Sequence, residues 1–386
     1  MVDITEQIAL TDEETLTEAV ECLAKHIPLD AKGACDPNTL FQILLRAAAT
    51  HNTIENTVNQ LQETTSSNNI RYHLAKLNDF NELEKQINLA LKNKITPGLK
   101  KQKQAIAVDL NLIPYYGEPS KEEAPFIYRS QAKLGTCSFY AYATLYVIKK
   151  GKRVTLAIRG VRWLDTKVAL LTYLLAEISS LEIKVKKLYL DREFFCVSVI
   201  RWLQALNIPL ILPAIKRGRK GGIKQLLQGR KSYKTSYTMS NSQGESVTFD
   251  LWIVCKYSKV KRKKRGLEYY VYVVHQVKIH LFSIHKDYRK RFGIESSYRL
   301  KNLCRIRTTT KNPVLRLLFV GIAFLLVNIW VNLLWRKISH PRQGGRLIFR
   351  ELFPLKQMLA FLRQAIDRIF QVVEVIHLPL EYASSA

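Results

Sequence analysis

Three carboxylates stand apart from the other acidic residues by where they fall. Asp109 stands at the end of the apolar stretch in QAIAVDL, Asp191 closes a second run, KKLYLD, and Glu295 lies in the strongly basic segment 285–307. Eight Lys/Arg surround Glu295 and Asp287, the only other acid of that segment. Short apolar runs of this kind read as buried strands. A lone aspartate at a strand end is more often structural than catalytic. Two at neighbouring strand ends, with a third carboxylate from a later helix, suit divalent metal chemistry. Mg²⁺ and Mn²⁺ take hard oxygen ligands and leave their remaining positions to water and phosphate. Competing chemistries find little support. His275, His280 and His285 recur at a period that fits neither a helix face nor a strand face, so they read as incidental. Gly221-Gly222 has no P-loop lysine and serine in register.

The elements that must bring the carboxylates together can be read in order. A strand over 104–110 is followed by a hairpin of 136–148 and 153–160, rich in aromatic and β-branched residues. A helix over 163–181, a strand over 186–191, a helix over 194–206 and a strand over 208–214 complete the series. The order β-β-β-α-β-α-β resembles a ribonuclease H-like core, in which the first and fourth strands are parallel neighbours. That topology would set Asp109 beside Asp191.

Charge marks the domains. The chain has 386 residues, 47% of them hydrophobic, and a net charge of +28, which excludes a disordered tail and makes a polyanion the first partner to consider. Residues 1–95 hold 8 Lys+Arg and 14 Asp+Glu, so the excess lies entirely beyond them. Residues 1–95 read as an all-helical domain, with 96–103 as linker. The stretch 51–77 fits a helix-turn-helix or a plain bundle serving dimerisation. The rest divides into core 104–215, a basic β-rich insertion 216–282, core 283–340 carrying the Glu295 helix, and a helical tail 341–386. The expected fold class is α/β: a ribonuclease H-like core with a β-rich insertion, preceded by a helical domain. Six scattered cysteines without a C-x-x-C pair suit a reducing cytosol.

Around the third carboxylate the sequence resembles the DDE transposases of insertion sequences. Tyr288, Arg291 and Glu295 stand as Y-x2-R-x3-E, the signature around the catalytic glutamate in one large group of these enzymes. Asp191-Arg192-Glu193-Phe194-Phe195 is similar to the D-R-x-F segment that carries their second aspartate, and Asp109 stands where the first belongs. Larger members place a lysine seven residues after the glutamate; here that position is Asn302, with Arg299 at E-x3-R and Lys301 one residue early. The resemblance implies catalysis by Asp109, Asp191 and Glu295 on two Mg²⁺ or Mn²⁺ ions. It implies that Tyr288, Arg291, Arg299 and Lys301 line the DNA, and that Trp252 takes the place of an insertion tryptophan that stacks on a flipped base in some relatives. For Trp252 a place in the core is the competing reading.

Two acid-free basic runs, 216–234 and 258–266, are expected to grip DNA phosphates, the second through Lys261, Arg262, Lys263 and Lys264. The nineteen-residue uncharged stretch 317–335 approaches the length of a bilayer span. It is read instead as a buried helix packed against the sheet, with no membrane partner. The function implied is metal-dependent strand cleavage and strand transfer at the ends of a mobile element. The alternatives are a nuclease of the same fold without strand transfer, and a catalytically inactive DNA-binding protein. Expected partners are double-stranded DNA, as transposon ends and target, and a second copy of the chain in the active complex. The expected location is the cytoplasm, at the nucleoid when DNA is bound.

Overall fold

The computed structural model describes residues 9–33, 35–149, 154–218, 222–259 and 265–376. The chain divides into two compact units: Met1–Lys94 with Arg299–Ala386, and Ile95–Tyr298.

Five helices open the chain: α1 (Asp12–His26), α2 (Pro37–Ala49), α3 (Ile54–Val58), α4 (Ser67–Ala75) and α5 (Phe80–Asn93). Each starts where a short polar side chain can take an otherwise orphan amide: Thr11, Asp36, Thr53, Ser66 and Asp79 all accept from the first turn. The helix-turn-helix alternative does not match the local geometry. α3 has only 5 residues, and residues 59–66 separate it from α4. That connection exceeds the roughly three- to four-residue turn such a motif uses.

The second unit is built on one sheet. Its strands are β1 (Gln104–Pro114), β2 (Ile127–Lys133), β3 (Thr136–Val147) and β4 (Thr155–Gly160), then, after α6 (Lys167–Ser180), β5 (Val185–Leu190). α7 (Val197–Ala205) leads to β6 (Leu210–Pro213), β7 (Tyr233–Ser240), β8 (Ser246–Lys259) and β9 (Arg265–His275). α8 (Ile284–Tyr288) and α9 (Gly293–Leu303) follow. The strand order is β2-β3-β1-β5-β6-β9-β8-β7, with β4 also on β3. β1 is antiparallel to β3 and parallel to β5, β5 is parallel to β6, and β3 is antiparallel to β4.

One expectation needs correction here: β1 does not end at Asp109 but runs on to Pro114 beside β3, and what stops at Val108 is its ladder with β5. The segment 216–282 carries three strands between β6 and α8. β9 pairs antiparallel with β6, and β8 and β7 continue from it, so these strands extend the core sheet. The physical reason lies in their composition: Leu251, Ile253, Val271 and Val273 are buried on one face and Trp252, Val254, Tyr272 and Val274 on the other, as in strands covered on both sides.

The chain ends with α10 (Pro313–Arg336), the short hairpin β10 (Ser339–Arg342) and β11 (Gly345–Ile348), and α11 (Leu355–Phe370). α10 is the one described helix long and apolar enough to cross a bilayer, and its apolar window is buried throughout. It fills the helical core of its own unit, packing on α5, α1, α2 and α11, where the sequence had suggested the sheet. Its two asparagines serve α5: Asn328 Nδ2 donates to the Leu91 carbonyl at 3.4 Å and Asn332 Nδ2 to that of Lys94 at 3.2 Å. Both carbonyls lie at the C-terminal end of α5, where intrahelical donors run short. Arg46 of α2 is buried and pairs with Asp367 of α11 at 2.7 Å and with Gln60 at 2.9 Å. The expected domain 1–95 and tail 341–386 therefore share one core, because each supplies amphipathic faces that the other covers.

Candidate active site

The β1–β5 ladder pairs Ala107 with Tyr189 and Val108 with Leu190. Asp109 and Asp191 are the next residue of each chain, so the parallel register carries both aspartates to one level. Asp191 leaves the sheet there and accepts from the Arg192 amide at 2.7 Å, starting a tight turn, Arg192–Phe194. Glu193 in that turn takes the hydroxyl of Tyr128, and its carbonyl takes the ammonium of Lys167.

Arg291 lies between the two aspartates. Nη1 is 3.3 Å from Asp109 Oδ2 and Nη2 is 3.6 Å from Asp191 Oδ1. The guanidinium is 7% exposed, against 15% for Asp109 and 33% for Asp191. Burial pushes the Asp109 carboxyl up to about 6, opposed by Arg291 and reinforced by the charges of Asp191 and Glu295. Glu295 is exposed on α9. Its charge acts on Asp109 and Arg291, so the three acids share one field.

Tyr288 needs correction. Its side chain is buried, and its hydroxyl donates to the Leu190 carbonyl at 3.1 Å, immediately before Asp191. It ties α8 to the end of β5 and does not face a phosphate. Tyr298, which sequence reasoning passed over, ties α9 in the same way. Its hydroxyl is 2.6 Å from Thr144 Oγ1, and Thr144, the register partner of Asp109, reaches the Asp109 carbonyl at 3.3 Å. Asp287 is separated from Glu295 by its surroundings. It is buried and accepts from Lys187 at 2.5 Å, Tyr189 at 2.8 Å and Lys290 at 2.8 Å, which occupies it structurally. Tyr288→Phe should lower stability by about 1 kcal/mol, since it removes this buried hydrogen bond. Urea melts compared with wild type would check this.

The remaining sequence candidates scatter. Lys301 is buried with its ammonium 5.6 Å from the Phe324 ring, so it cannot reach DNA as expected. Arg299 is exposed. Trp252 is buried among Tyr272, Tyr288 and Ile211, with Lys234 of the paired strand 3.9 Å over its ring. It serves the core, and no face is left for a base. Lys261, Arg262, Lys263 and Lys264 lie outside the described residues.

A cavity of about 600 Å³ beside Asp191 was not foreseen; Arg192, Lys216, Tyr270, His285, Arg289 and Phe292 line it. His285 accepts or donates at 2.8 Å to the Tyr272 hydroxyl and lies 3.9 Å from the Tyr270 ring. The alternation of Tyr270 and Tyr272 along β9 was the available signal.

No protein-family model matches the sequence. No curated protein matches it either. Among solved structures, the chain is similar to a piggyBac transposase in its synaptic complex with hairpin DNA, determined by cryo-EM. The TM-score is 0.54 at 13% identity, over 98% of this chain and 82% of that one. The likeness is one of fold.

The residues present suit a hard divalent cation. Arg291 Nε and Nη1 are buried without a hydrogen-bond partner, so the guanidinium contacts the aspartates by charge alone. Asp109 Oδ1 takes the Leu110 amide at 2.9 Å and Asp191 Oδ1 the Arg192 amide at 2.7 Å; the second oxygen of each has no hydrogen bond among the described residues. Three carboxylates against one guanidinium leave two negative charges, and all the donors are oxygen. Among the described residues no three ligating side chains are already gathered around one point. Exposed Glu295 is the donor left to complete the set.

Proposed function

We propose that this chain is a DDE transposase that cuts DNA at the ends of its element and joins the freed ends to a target. The observation that carries this is the side-by-side placement of Asp109 and Asp191 with Arg291 between them. It is supported by the order β4-β3-β1-β5-β6, whose directions are those of a ribonuclease H-like core. The fold likeness to a transposase bound to hairpin DNA points the same way.

In this reading Asp109, Asp191 and Glu295 would hold two Mg²⁺ or Mn²⁺ ions. When bound, such ions activate water or a 3′-hydroxyl and stabilise the leaving oxygen. The chain's own part is positional. Tyr288 and Tyr298 hold the helical segments that carry Arg291 and Glu295 against the ends of β5 and β1. Arg291 places one positive charge between the two carboxylates without consuming their lone pairs. The partner is double-stranded DNA, with two copies of the chain in the active complex.

The test is incubation of the protein with DNA carrying the inverted repeats that flank its gene, with Mg²⁺ or Mn²⁺. Strand breaks at the repeat ends and joined products are expected. Breaks without joining would make the chain a nuclease, and no cleavage with either ion would overturn the reading. A pH dependence follows from Asp109. Holding a cation needs its carboxylate, whose ionised fraction falls about tenfold per unit below a pKa of about 6. Cleavage rates measured from pH 5 to 7 should therefore rise steeply to about 6 and then level.

A further inference from the structure

Residues 304–312, Cys-Arg-Ile-Arg-Thr-Thr-Thr-Lys-Asn, link α9 to α10 within the first unit. Arg305 and Arg316 are half-buried around this link, and Arg307 is exposed. Burial, then the charges of Arg316 and Arg307, holds Arg305 below the usual arginine range, and no carboxylate figures among the charges acting on it. Clustered like charge of this kind is costly unless an anion joins it.

Beside the cluster is a cavity of about 590 Å³ whose polar wall is Thr53, Arg71, Arg307, Thr308 and Thr310. Glu55, the one carboxylate lining it, is already taken by Arg71 at 2.5 Å and Ser67 at 2.7 Å. Arg316 Nε donates to the Thr310 carbonyl at 2.7 Å and holds the threonine loop in place. Thr308 Oγ1 accepts from the Thr310 amide at 3.0 Å, and Thr310 Oγ1 from the Asn312 amide at 3.3 Å. Each hydroxyl spends an acceptor site inside the loop and keeps its O–H to give. Arginine charge with convergent hydroxyl donors is the chemistry of a phosphate site.

We propose that this cavity binds a backbone phosphate of duplex DNA, with Arg307 meeting its charge and Thr308 and Thr310 donating to its oxygens. A polyanion fits better than a small ligand because the basic excess of the whole chain, +28, needs many phosphates to balance it. The inference requires DNA binding only, so it goes beyond the transposase reading and does not depend on cleavage.

The experiment uses the full chain, wild type and Arg307→Gln. Affinity for a short random-sequence duplex is measured across a series of KCl concentrations. Thermal melts are run alone, with the duplex, and with inorganic phosphate or ATP at matched ionic strength. Arg307→Gln should flatten the slope of log affinity against log salt by about 0.9. Free of DNA it should melt at or above wild type, since it relieves repulsion on Arg305. Arg307→Lys should retain the slope. An unchanged slope in Arg307→Gln, or a lower melting temperature with the slope intact, overturns the proposal in favour of a structural cluster. Stabilisation of wild type by phosphate or ATP but not by duplex overturns it in favour of a small phosphorylated ligand. A chain that shows the expected slope yet never cleaves DNA leaves this site standing and removes the transposase reading instead.

Discussion

Asp109→Asn, Asp191→Asn and Glu295→Gln are each expected to lower Mg²⁺- or Mn²⁺-dependent cleavage by at least about 10³-fold while leaving DNA binding largely intact. Each substitution preserves shape and removes one anionic oxygen donor. Residues that act as one unit lose function together, so double mutants should be little worse than singles. Asp109→Asn carries a second signature. Asp109 titrates at about 6 in the fold against 3.8 as a free side chain, so the folded chain holds its proton more tightly than the unfolded one. Stability tied to that proton is present below the unfolded value and is lost as pH rises through about 6. In EDTA at pH 7 the asparagine variant should therefore melt no lower than wild type. Added Mg²⁺ should raise the melting temperature of wild type and not of the variant. Near-normal cleavage by any single variant would remove that residue from the site. A clearly destabilised Asp109→Asn in EDTA would mean that the carboxylate is a structural anchor for Arg291.

The largest effect on stability is expected at Gly321. This glycine sits inside α10, where a Cβ would meet Ile87 of α5 at 2.5 Å, with two further atoms of the same side chain at 2.9 and 3.0 Å. The nearest of these atoms is the terminal Cδ1, but Cγ1 and Cγ2 of the buried, χ1-stiff branch also lie within 3.0 Å, so turning the end of the side chain does not clear the methyl. Alanine in a helix interior is ordinarily worth about 1 kcal/mol over glycine. Overpacking of this kind costs about 1–3 kcal/mol and should outweigh that gain. Gly321→Ala should thus lower stability in denaturant melts, and Gly321→Leu should prevent folding. Adding Ile87→Ala to Gly321→Ala should cost less than the sum of the two single changes, because the cavity accepts the new methyl. A stable, fully folded Gly321→Leu would show that α5 and α10 do not pack at this distance.

Asp109, Asp191 and the strands that bear them were legible because a buried strand is a local pattern: a short apolar run bounded by polar residues. Tyr288, Arg291 and Glu295 were legible by spacing along one short segment. Their roles were not. Whether Asp287 or Glu295 served the site depended on Lys187 and Tyr189, which lie about a hundred residues away in sequence and come close only through β5. Tyr288 resembled a phosphate-facing residue until the Leu190 carbonyl claimed its hydroxyl. The reach of the sheet was equally hidden. β6 and β9 pair across the 216–264 segment, and an apolar strand does not encode which open edge it will complete. α10 is apolar on every face, so no stripe along it names a partner. The close approach of Gly321 to Ile87 and the placement of Asn328 and Asn332 under the last carbonyls of α5 assign it to the helices of residues 1–94. Local sequence determined which elements form and which residues carry charge at their ends. Tertiary structure alone decided which edges and faces meet, since burial of apolar surface is strong but non-directional and is resolved only by the whole set of competing partners.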